Sequence, residues 1–470
     1  DGRPYTEKPP LHFDAIVALG RALGFRTTWT FVLPSLLAFA AMTIVVGIAG
    51  WRWLGAAAGA LASFLFATFL FAWGSAQTAR MDSGYAFFAT LAVILLHEGM
   101  TRGRRGTTIL AGAAAGTAIL VKGPAVAAIV VLVWAGESIR LRRRPRGADG
   151  AAFLLMAALP AAWIAVVAVR VGGWTAFDLV VTQNLGRAVD SFAHAKPFWF
   201  YAARFPLLFF PWFVLLIAAL LGARSRGGAH AFLAIWFGAI FLFFSAISGK
   251  LDVYLLPAAA PAALLIAGWL TSEARRGTVA ALNATLLGLC AVGAMAAPAI
   301  AASRSGESPE VDLLLGAPFA AVAMIAGLAA AVAALLPAFP AVRRPAFSTL
   351  VSGAAWMAGP VAAALLMMGF VNQVYSSRPL IEVLRAHRLE RASLVVYEGF
   401  HPWGRDFAFA ERRIREADPW TLKKARTLPA VVVTRSSRAT ELGQPLRKEY
   451  EKLASIRIRR KDYDVYALRR

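Results

Sequence analysis

Long apolar runs separated by short polar segments dominate the first 370 residues of the chain. A run of roughly 20 apolar residues is long enough for an α-helix to cross the hydrocarbon core of a bilayer. By this criterion the pattern predicts membrane spans near residues 28–48, 55–75, 83–99, 151–170, 205–222, 230–248, 253–270, 278–300, 312–336 and 347–369.

Two shorter apolar runs, 106–120 and 123–137, predict a helical hairpin with Lys122, Gly123 and Pro124 at its tip. Each arm is shorter than a comfortable span, so this pair is either tilted or re-entrant. In both cases it returns the chain to the side from which it came. With this pair, the chain is predicted to be an all-α polytopic membrane protein of about twelve spans.

The loops between the spans predict the orientation of the protein. Five short loops are strongly basic, namely "TRGRRG" (101–106), "SIRLRRRPRG" (138–147), "GARSRGG" (222–228), "SEARRG" (272–277) and "VRRPA" (342–346). An even number of predicted spans separates each from the next, so all five fall on one side, and the positive-inside rule makes that side cytoplasmic. The outer side then receives residues 1–27, 76–82, the hairpin tip 122–124, 171–204, 248–252, 301–311 and everything after 370.

Composition supports a membrane protein, since 59% of the residues are hydrophobic and only 16% are charged. The net charge of +23 would fit a nucleic-acid partner. Most arginines, however, lie in short clusters between apolar runs, which argues against nucleic acid. The single cysteine, Cys290, excludes an intrachain disulfide framework.

The composition changes after about residue 371, which predicts a small extracytoplasmic α/β domain over 371–470, following a transmembrane domain over 1–370. The segments 392–399 and 429–435 are typical of short buried strands. The basic stretch near 409–426 predicts a helix, and 456–470 alternates like a closing hairpin. We find no metal or nucleophile motif in this part of the sequence.

Polar residues collect in the predicted outer segments. They are Tyr5, Glu7, Lys8, Arg80, Asp82, Lys122, Asn184, Arg187, Asp190, His194, Lys250, Asp252 and Tyr254. A lone lysine at a helix end is usually an interface anchor, and "PFWFY" (197–201) is most simply an interfacial aromatic belt. Together, however, the cations suit a phosphate at the membrane surface, and a carboxylate beside them can serve as a base or a metal ligand.

Several motifs occur in the order and approximate spacing of a known family. They are "GRPYTEKPPLHF", "ARMDSGYAFF", "ILVKGP", "QNLGRAVDSFAHAKPFWFY" and "SGKLDVYLLPAAAPA". Over residues 1–270 the chain resembles the integral-membrane GT-C glycosyltransferases of the protein-mannosyltransferase and lipid A aminoarabinose-transferase type.

This resemblance implies an enzyme of the bacterial inner membrane that takes a sugar from a polyprenyl-phosphate donor. The sugar would pass, with inversion, to a periplasmic acceptor such as lipid A, another glycan or a protein. The matching motifs imply that Lys8, Lys122, Arg187, Lys250 and Tyr254 hold the donor phosphate. They also imply that Glu7 and His194 bind a divalent metal ion and that Asp82 positions the acceptor. No nucleotide cofactor is expected.

Two departures from the family pattern qualify this assignment. Relatives carry a further helix and an acidic motif before "EKPP", so we expect a longer, thirteen-span protein whose principal base lies upstream of Asp1. Asp252 stands where relatives usually carry proline, and it would weaken phosphate binding unless it pairs with a cation or contacts the acceptor.

Two other functions remain open from the sequence. One is a transporter or flippase of a polyprenyl lipid, although the nearly charge-free centres of the spans favour catalysis at one face over a midplane transport site. The other is a non-catalytic protein that only binds the donor. The sequence does not choose among sugars or acceptors.

Overall fold

A computed structural model describes most of the helical region and parts of the C-terminal region. The described residues are 8–24, 29–173, 195–272, 281–283, 285–290, 292–293, 296, 303, 317–335, 344–375, 378–389, 394–397, 414–417, 430–439, 448–458 and 461–469. The chain divides into two compact units. The helical unit comprises Pro4–Ala291 and Ala329–Met357, and the C-terminal unit comprises Asp1–Arg3, Val292–Leu328 and Ala358–Arg470.

Helices make up the described part of the helical unit. They are α1 (Leu11–Leu23), α2 (Trp29–Leu54), α3 (Ala56–Thr68), α4 (Leu70–Ala76), α5 (Asp82–Arg102), α6 (Arg105–Lys122), α7 (Ala125–Arg140), α8 (Gly147–Val171), α9 (Phe200–Leu208), α10 (Phe213–Arg226), α11 (Gly228–Ala246) and α12 (Ala259–Ser272). A 3₁₀ turn, Asp252–Ala258, leads directly into α12. Two further helices, α13 (Ala317–Leu335) and α14 (Pro345–Tyr375), contribute residues to both units.

Several of these helices are long and apolar enough to cross a bilayer, as expected of a multi-pass membrane protein. Among the described residues five segments pass this test, namely α2, α5, α8, α11 and Asp252–Ser272. Two bent pairs, α3 with α4 and α9 with α10, would raise the number to seven. The predicted hairpin is present as α6 and α7. Nearly half of the predicted span 278–300 lies outside the described residues, and the total of twelve spans stays a prediction.

The two bent pairs contact each other at their breaks. The axes of α3 and α4 differ by 66°, and those of α9 and α10 by 115°. The backbone N–H of Leu70, at the first break, donates to the carbonyl oxygen of Phe210 at the second (3.1 Å). The Trp212 indole N–H likewise donates to the hydroxyl of Thr68 (3.0 Å). The backbone N–H at the first break and the backbone carbonyl at the second therefore satisfy each other, as an apolar environment requires.

Small residues allow α5, α6 and α8 to pack closely. A Cβ at Gly112 of α6 would overlap the carbonyl oxygen of Ala152 in α8. A Cβ at Gly99 of α5 would lie 2.7 Å from the backbone nitrogen of Thr108 in α6. Van der Waals packing over small residues is a main source of helix association in lipid. These glycines thus set the separation of the helices that carry the candidate site.

The C-terminal unit contains a five-stranded sheet in the order β2–β1–β3–β5–β4. The strands are β1 (Leu394–Tyr397), β2 (Ile414–Ala417), β3 (Val431–Arg435), β4 (Tyr450–Ile458) and β5 (Lys461–Leu468). β1 pairs in parallel with β2 and β3, whereas β5 is antiparallel to β3 and β4. Leu380 and Leu384 of helix α15 (Arg378–Ala386) share an apolar core with Val431, Val433 and Val465.

The predicted strands in 392–399 and 429–435 and the closing hairpin are confirmed as β1, β3 and β4–β5. The predicted helix near 409–426 is wrong where the structure describes it, because Ile414–Ala417 is strand β2. This strand lies at an edge of the sheet, where charged side chains are tolerated and help to block further pairing. The basic residues of 409–426 therefore gave no signal for a strand. The domain boundary near residue 371 stays a prediction.

The close contact of α6 with α8 leads to a stability prediction. Gly112→Ala should destabilise the protein by about 1–3 kcal/mol, because the added methyl group meets backbone that cannot move aside easily. Gly106→Ala is the matched control, since nothing lies within 4 Å of its added Cβ. Thermal unfolding of the purified protein measures both. Equal midpoints for the two variants would contradict this packing.

Candidate functional site

A buried carboxylate at the first residue of α5 lies at the centre of the candidate site. Asp82 is only 4% exposed. The Arg80 Nε donates to its Oδ2 at 2.9 Å, and the Lys122 ammonium donates to its Oδ1. A carboxylate in the first turn of a helix is further stabilised by the helix dipole. We refer to Arg80, Asp82 and Lys122 as the Asp82 centre.

Local backbone geometry brings Lys122 to this position. Lys122 is the last residue of α6, and Gly123 follows with φ of 134°, a conformation that favours glycine. Pro124 then precedes the first turn of α7. The predicted hairpin tip is thereby confirmed, and Lys122 projects from it onto α5. Its Nζ lies 4.5 Å from the ring centroid of Tyr254 and 5.6 Å from that of Tyr85.

The Asp82 centre carries more positive than negative charge, since one carboxylate binds two cations. The Arg80 side chain is 43% exposed and that of Lys122 is 21% exposed, so both cations remain accessible. The Ser35 hydroxyl of α2 donates to the carbonyl oxygen of Arg80 (2.8 Å) and fixes the backbone there. Such a centre favours an anionic ligand.

Two aromatic residues and a histidine surround the centre. The hydroxyl of Tyr85 is buried and has no hydrogen-bond partner among the described residues. Tyr254 packs on Phe244, with ring centroids 5.4 Å apart. His12 of α1 is buried, and this burial lowers its pKa although the negative charge of Asp82 acts in the opposite direction. The sequence interpretation missed His12 and Tyr85, because only the contact of α1 and α5 with the hairpin gives them a role.

Lys8 is half-buried and lies three residues before α1, which packs against α6. The prolines at positions 9 and 10 directly precede α1, which begins at Leu11. Lys8 therefore lies just before α1, close in sequence to the buried His12 of that helix.

Lys250 has a different environment from Lys122. Its ammonium donates to the carbonyl oxygens of Lys196 (3.1 Å) and Ile247. The side chain is buried, and burial lowers its pKa. The backbone N–H of Lys196 also donates to the carbonyl of Ser248 (3.1 Å). Lys250 therefore joins two chain segments, and these hydrogen bonds direct its ammonium to backbone carbonyls rather than to the Asp82 centre.

Asp252 pairs with a cation, which answers the question raised by its departure from the family pattern. The Arg204 guanidinium of α9 binds it in a bidentate manner, with Nε–Oδ1 at 3.2 Å and Nη2–Oδ2 at 2.8 Å. Tyr201, also in α9, donates to the carbonyl oxygen of Leu251 at 2.9 Å. Arg204 was not among the expected site residues. Its partner lies 48 residues away in sequence, so no local pattern reveals the pair.

The aromatic run 197–201 is only partly an exposed belt. Phe198 and Trp199 are 77% and 56% exposed, as an interfacial belt requires. Tyr201, by contrast, is buried and holds α9 against the segment that precedes Asp252.

Three expected site residues, Glu7, Arg187 and His194, lie outside the described residues. Within the described part of the chain, no cluster of three or more His, Cys, Asp or Glu side chains suits a metal ion. The metal site expected at Glu7 and His194 therefore stays a prediction.

Comparison with known proteins bears on this geometry. No family model matches the chain. The undecaprenyl phosphate-α-4-amino-4-deoxy-L-arabinose arabinosyl transferase of Pseudomonas aeruginosa is 28% identical over 301 residues, which is 60% of this chain and 53% of that protein. The enzyme of the same name from Edwardsiella ictaluri is 30% identical over 256 residues, which is 50% of this chain and 45% of that one.

Among solved structures, ArnT from Cupriavidus metallidurans bound to undecaprenyl phosphate superposes with a TM-score of 0.82 at 19% identity. The match covers 98% of this chain and 88% of that chain. The chain is ArnT-like in sequence and in fold. The same protein in its apo state gives a TM-score of 0.80. The sequence matches and the structural superpositions together confirm the resemblance inferred from the motifs. The chain spans about half the length of the curated relatives that it matches.

Proposed function

We propose that this ArnT-like protein is a membrane glycosyltransferase that takes a sugar from a polyprenyl-phosphate donor and transfers it, with inversion, to a periplasmic acceptor. The observation that carries the proposal is the Asp82 centre, where Arg80 and Lys122 share one buried carboxylate at one end of a bundle of apolar helices. The names of the relatives support undecaprenyl phosphate as the carrier and aminoarabinose as the sugar. The acceptor is lipid A, another glycan or a protein, and we choose lipid A for the first test.

The chemistry explains why cations belong at this position. Transfer breaks the bond between the anomeric carbon and the phosphate oxygen of the donor, so negative charge develops on the departing polyprenyl phosphate. Fixed cations in a site with little water lower the barrier as that charge develops. Lys122 is suited to this task because Asp82 holds its ammonium while part of the side chain stays accessible. Tyr254, next to Lys122, would complete the phosphate site.

Asp82 has a positioning role in this proposal. Its contacts with Arg80 and Lys122 orient both cations, and we assign it the positioning of the acceptor beside them. Lys8 and Arg187 would add to the phosphate site, and Lys250 would join them only if its ammonium left the two backbone carbonyls. The predicted metal at Glu7 and His194 enters no step of this account.

The arrangement of charge supports a periplasmic site in the inner membrane. α5 is 21 residues long, so its two ends lie about 30 Å apart, which is the thickness of the hydrocarbon core. The Asp82 centre lies at one end, and the basic loops 101–106 and 138–147 lie at the other. Because basic loops remain in the cytoplasm, the Asp82 centre would face the periplasm.

Loss of the Lys122 charge should abolish most of the transfer activity. In the intact protein, Lys122→Gln should lower kcat/KM for the polyprenyl-phosphate sugar by about 100-fold or more, as expected when one charge-stabilising donor is removed. Lys448→Gln is the control, because that exposed lysine lies in the C-terminal unit. Transfer of sugar from purified donor to lipid A measures both variants.

Folding must be separated from activity in this experiment, since Lys122→Gln leaves Asp82 with one cation fewer. The thermal midpoint of Lys122→Gln, compared with that of the wild type, shows whether the variant is folded. Its affinity for polyprenyl phosphate shows whether the donor site is lost. Near-normal kcat/KM in folded Lys122→Gln protein would overturn the site. Lipid translocation by purified protein without sugar transfer would favour a flippase instead.

The pair of Arg204 and Asp252 should tune the affinity for the anionic donor. Arg204→Gln leaves the Asp252 carboxylate uncompensated beside Tyr254 and should raise the KM for donor several-fold. Asp252→Asn leaves the Arg204 charge uncompensated and should lower this KM, while the double variant should lie close to the wild type. Stability should change little, because both side chains are well exposed. An unchanged KM in both single variants, or a shift in the same direction in both, would show that the charges of this pair do not act on the donor.

A further inference from the structure

A second concentration of charge lies at the end of α5 remote from Asp82. Two loops, between α5 and α6 and between α7 and α8, meet there, since the Arg146 guanidinium lies 4.0 Å from the Cβ position of Gly103. Exposed arginines line both loops. We call Arg104, Arg105, Arg142, Arg144 and Arg146 the arginine patch.

The carboxylates at this end are already occupied by other cations. Glu98 binds Arg52 and Arg102, at 2.9 and 3.0 Å. Glu137, which is fully buried, binds Arg140 at 2.5 Å and His97 at 2.9 Å. Asp149 binds Arg143 at 2.9 Å.

These ion pairs leave the arginine patch without a counter-charge. None of its five guanidinium groups lies within 4.0 Å of a carboxylate in the described part of the chain. Within the described part of the chain, the two loops therefore present a concentrated positive charge that no carboxylate neutralises.

Exposed apolar side chains lie on the helices that adjoin these two loops. Leu110 of α6, Ile139 of α7 and Leu154 of α8 are 58%, 78% and 70% exposed. Ile139 precedes the last residue of α7, and the other two lie within about two turns of the start of their helices. In a membrane-spanning unit such residues face acyl chains. A ligand that satisfies both features has an anionic head and an apolar tail.

We propose that the arginine patch is a binding site for anionic phospholipid, with the phosphodiester head held by guanidinium groups and the acyl chains against Leu110, Ile139 and Leu154. Arginine is well suited to this because its planar group binds two phosphate oxygens at once. A lipid with two phosphates, such as cardiolipin, fits a patch that spans two loops, in keeping with basic pockets between helices on the cytoplasmic side. A soluble polyanion such as RNA would use the charge but leave the apolar side chains without a role.

The test compares three four-site variants of the full-length protein by native mass spectrometry with added cardiolipin or phosphatidylcholine. The patch variant carries Arg104→Gln, Arg105→Gln, Arg142→Gln and Arg144→Gln. The charge-matched control carries Arg21→Gln, Arg385→Gln, Arg388→Gln and Arg469→Gln, all at exposed positions remote in sequence from both loops. The third variant replaces the four patch arginines by lysine, which retains the charge that governs membrane insertion.

Cardiolipin affinity should fall about tenfold or more in the glutamine patch variant and remain at the wild-type level in the control. The lysine variant should lie between them, because it retains the charge but loses bidentate binding. Phosphatidylcholine binding should not change.

Three results would overturn the proposal. One is unchanged cardiolipin affinity in the glutamine patch variant. Another is an equal loss in the control, which would indicate attraction by overall charge. The third is displacement of cardiolipin by inorganic phosphate or by a single-stranded RNA at the concentration of the lipid, which would show that the apolar side chains contribute nothing. Thermal stabilisation by cardiolipin, lost only in the patch variant, gives an independent readout.

Discussion

The pairing of a buried carboxylate with a cation from another helix fixes the geometry of the candidate site. Asp82 begins α5 and Lys122 ends α6, so their contact sets where the hairpin tip lies on α5. Removing one partner from such a pair costs about 3–5 kcal/mol, because the remaining charge is left buried. The site and the packing of this end of the bundle therefore depend on the same contact.

The opposite ends of α5 handle charge in different ways. At the Asp82 end, one carboxylate is shared by two cations that remain partly exposed. At the other end, three carboxylates are occupied by arginines and a histidine, and the remaining arginines lie on the surface. Between the ends, α5 is largely buried and apolar. The two arrangements of charge therefore lie about 30 Å apart along one helix.

Local signals were enough to predict several features. Lys122-Gly123-Pro124 predicted the hairpin tip, since glycine and proline end one helix and begin the next. Asp82 was identified because a carboxylate at the end of an apolar run needs a partner. The pairing of Asp252 with Arg204, the burial of His12 and the turn of Lys250 onto backbone carbonyls were not predictable. Each depends on contacts between segments far apart in sequence. Strand β2 was missed for a similar reason, since pairing with β1 decides its conformation.

The most direct test of the central contact is a double-mutant cycle on the free energy of unfolding. Asp82→Asn and Lys122→Met, singly and together, would be compared with the wild type by detergent-induced unfolding of the purified protein. If the pair organises this end of the bundle, each single variant is strongly destabilised and the double variant recovers part of the loss, with a coupling of about 2 kcal/mol. Effects that add to within about 0.5 kcal/mol would contradict the account.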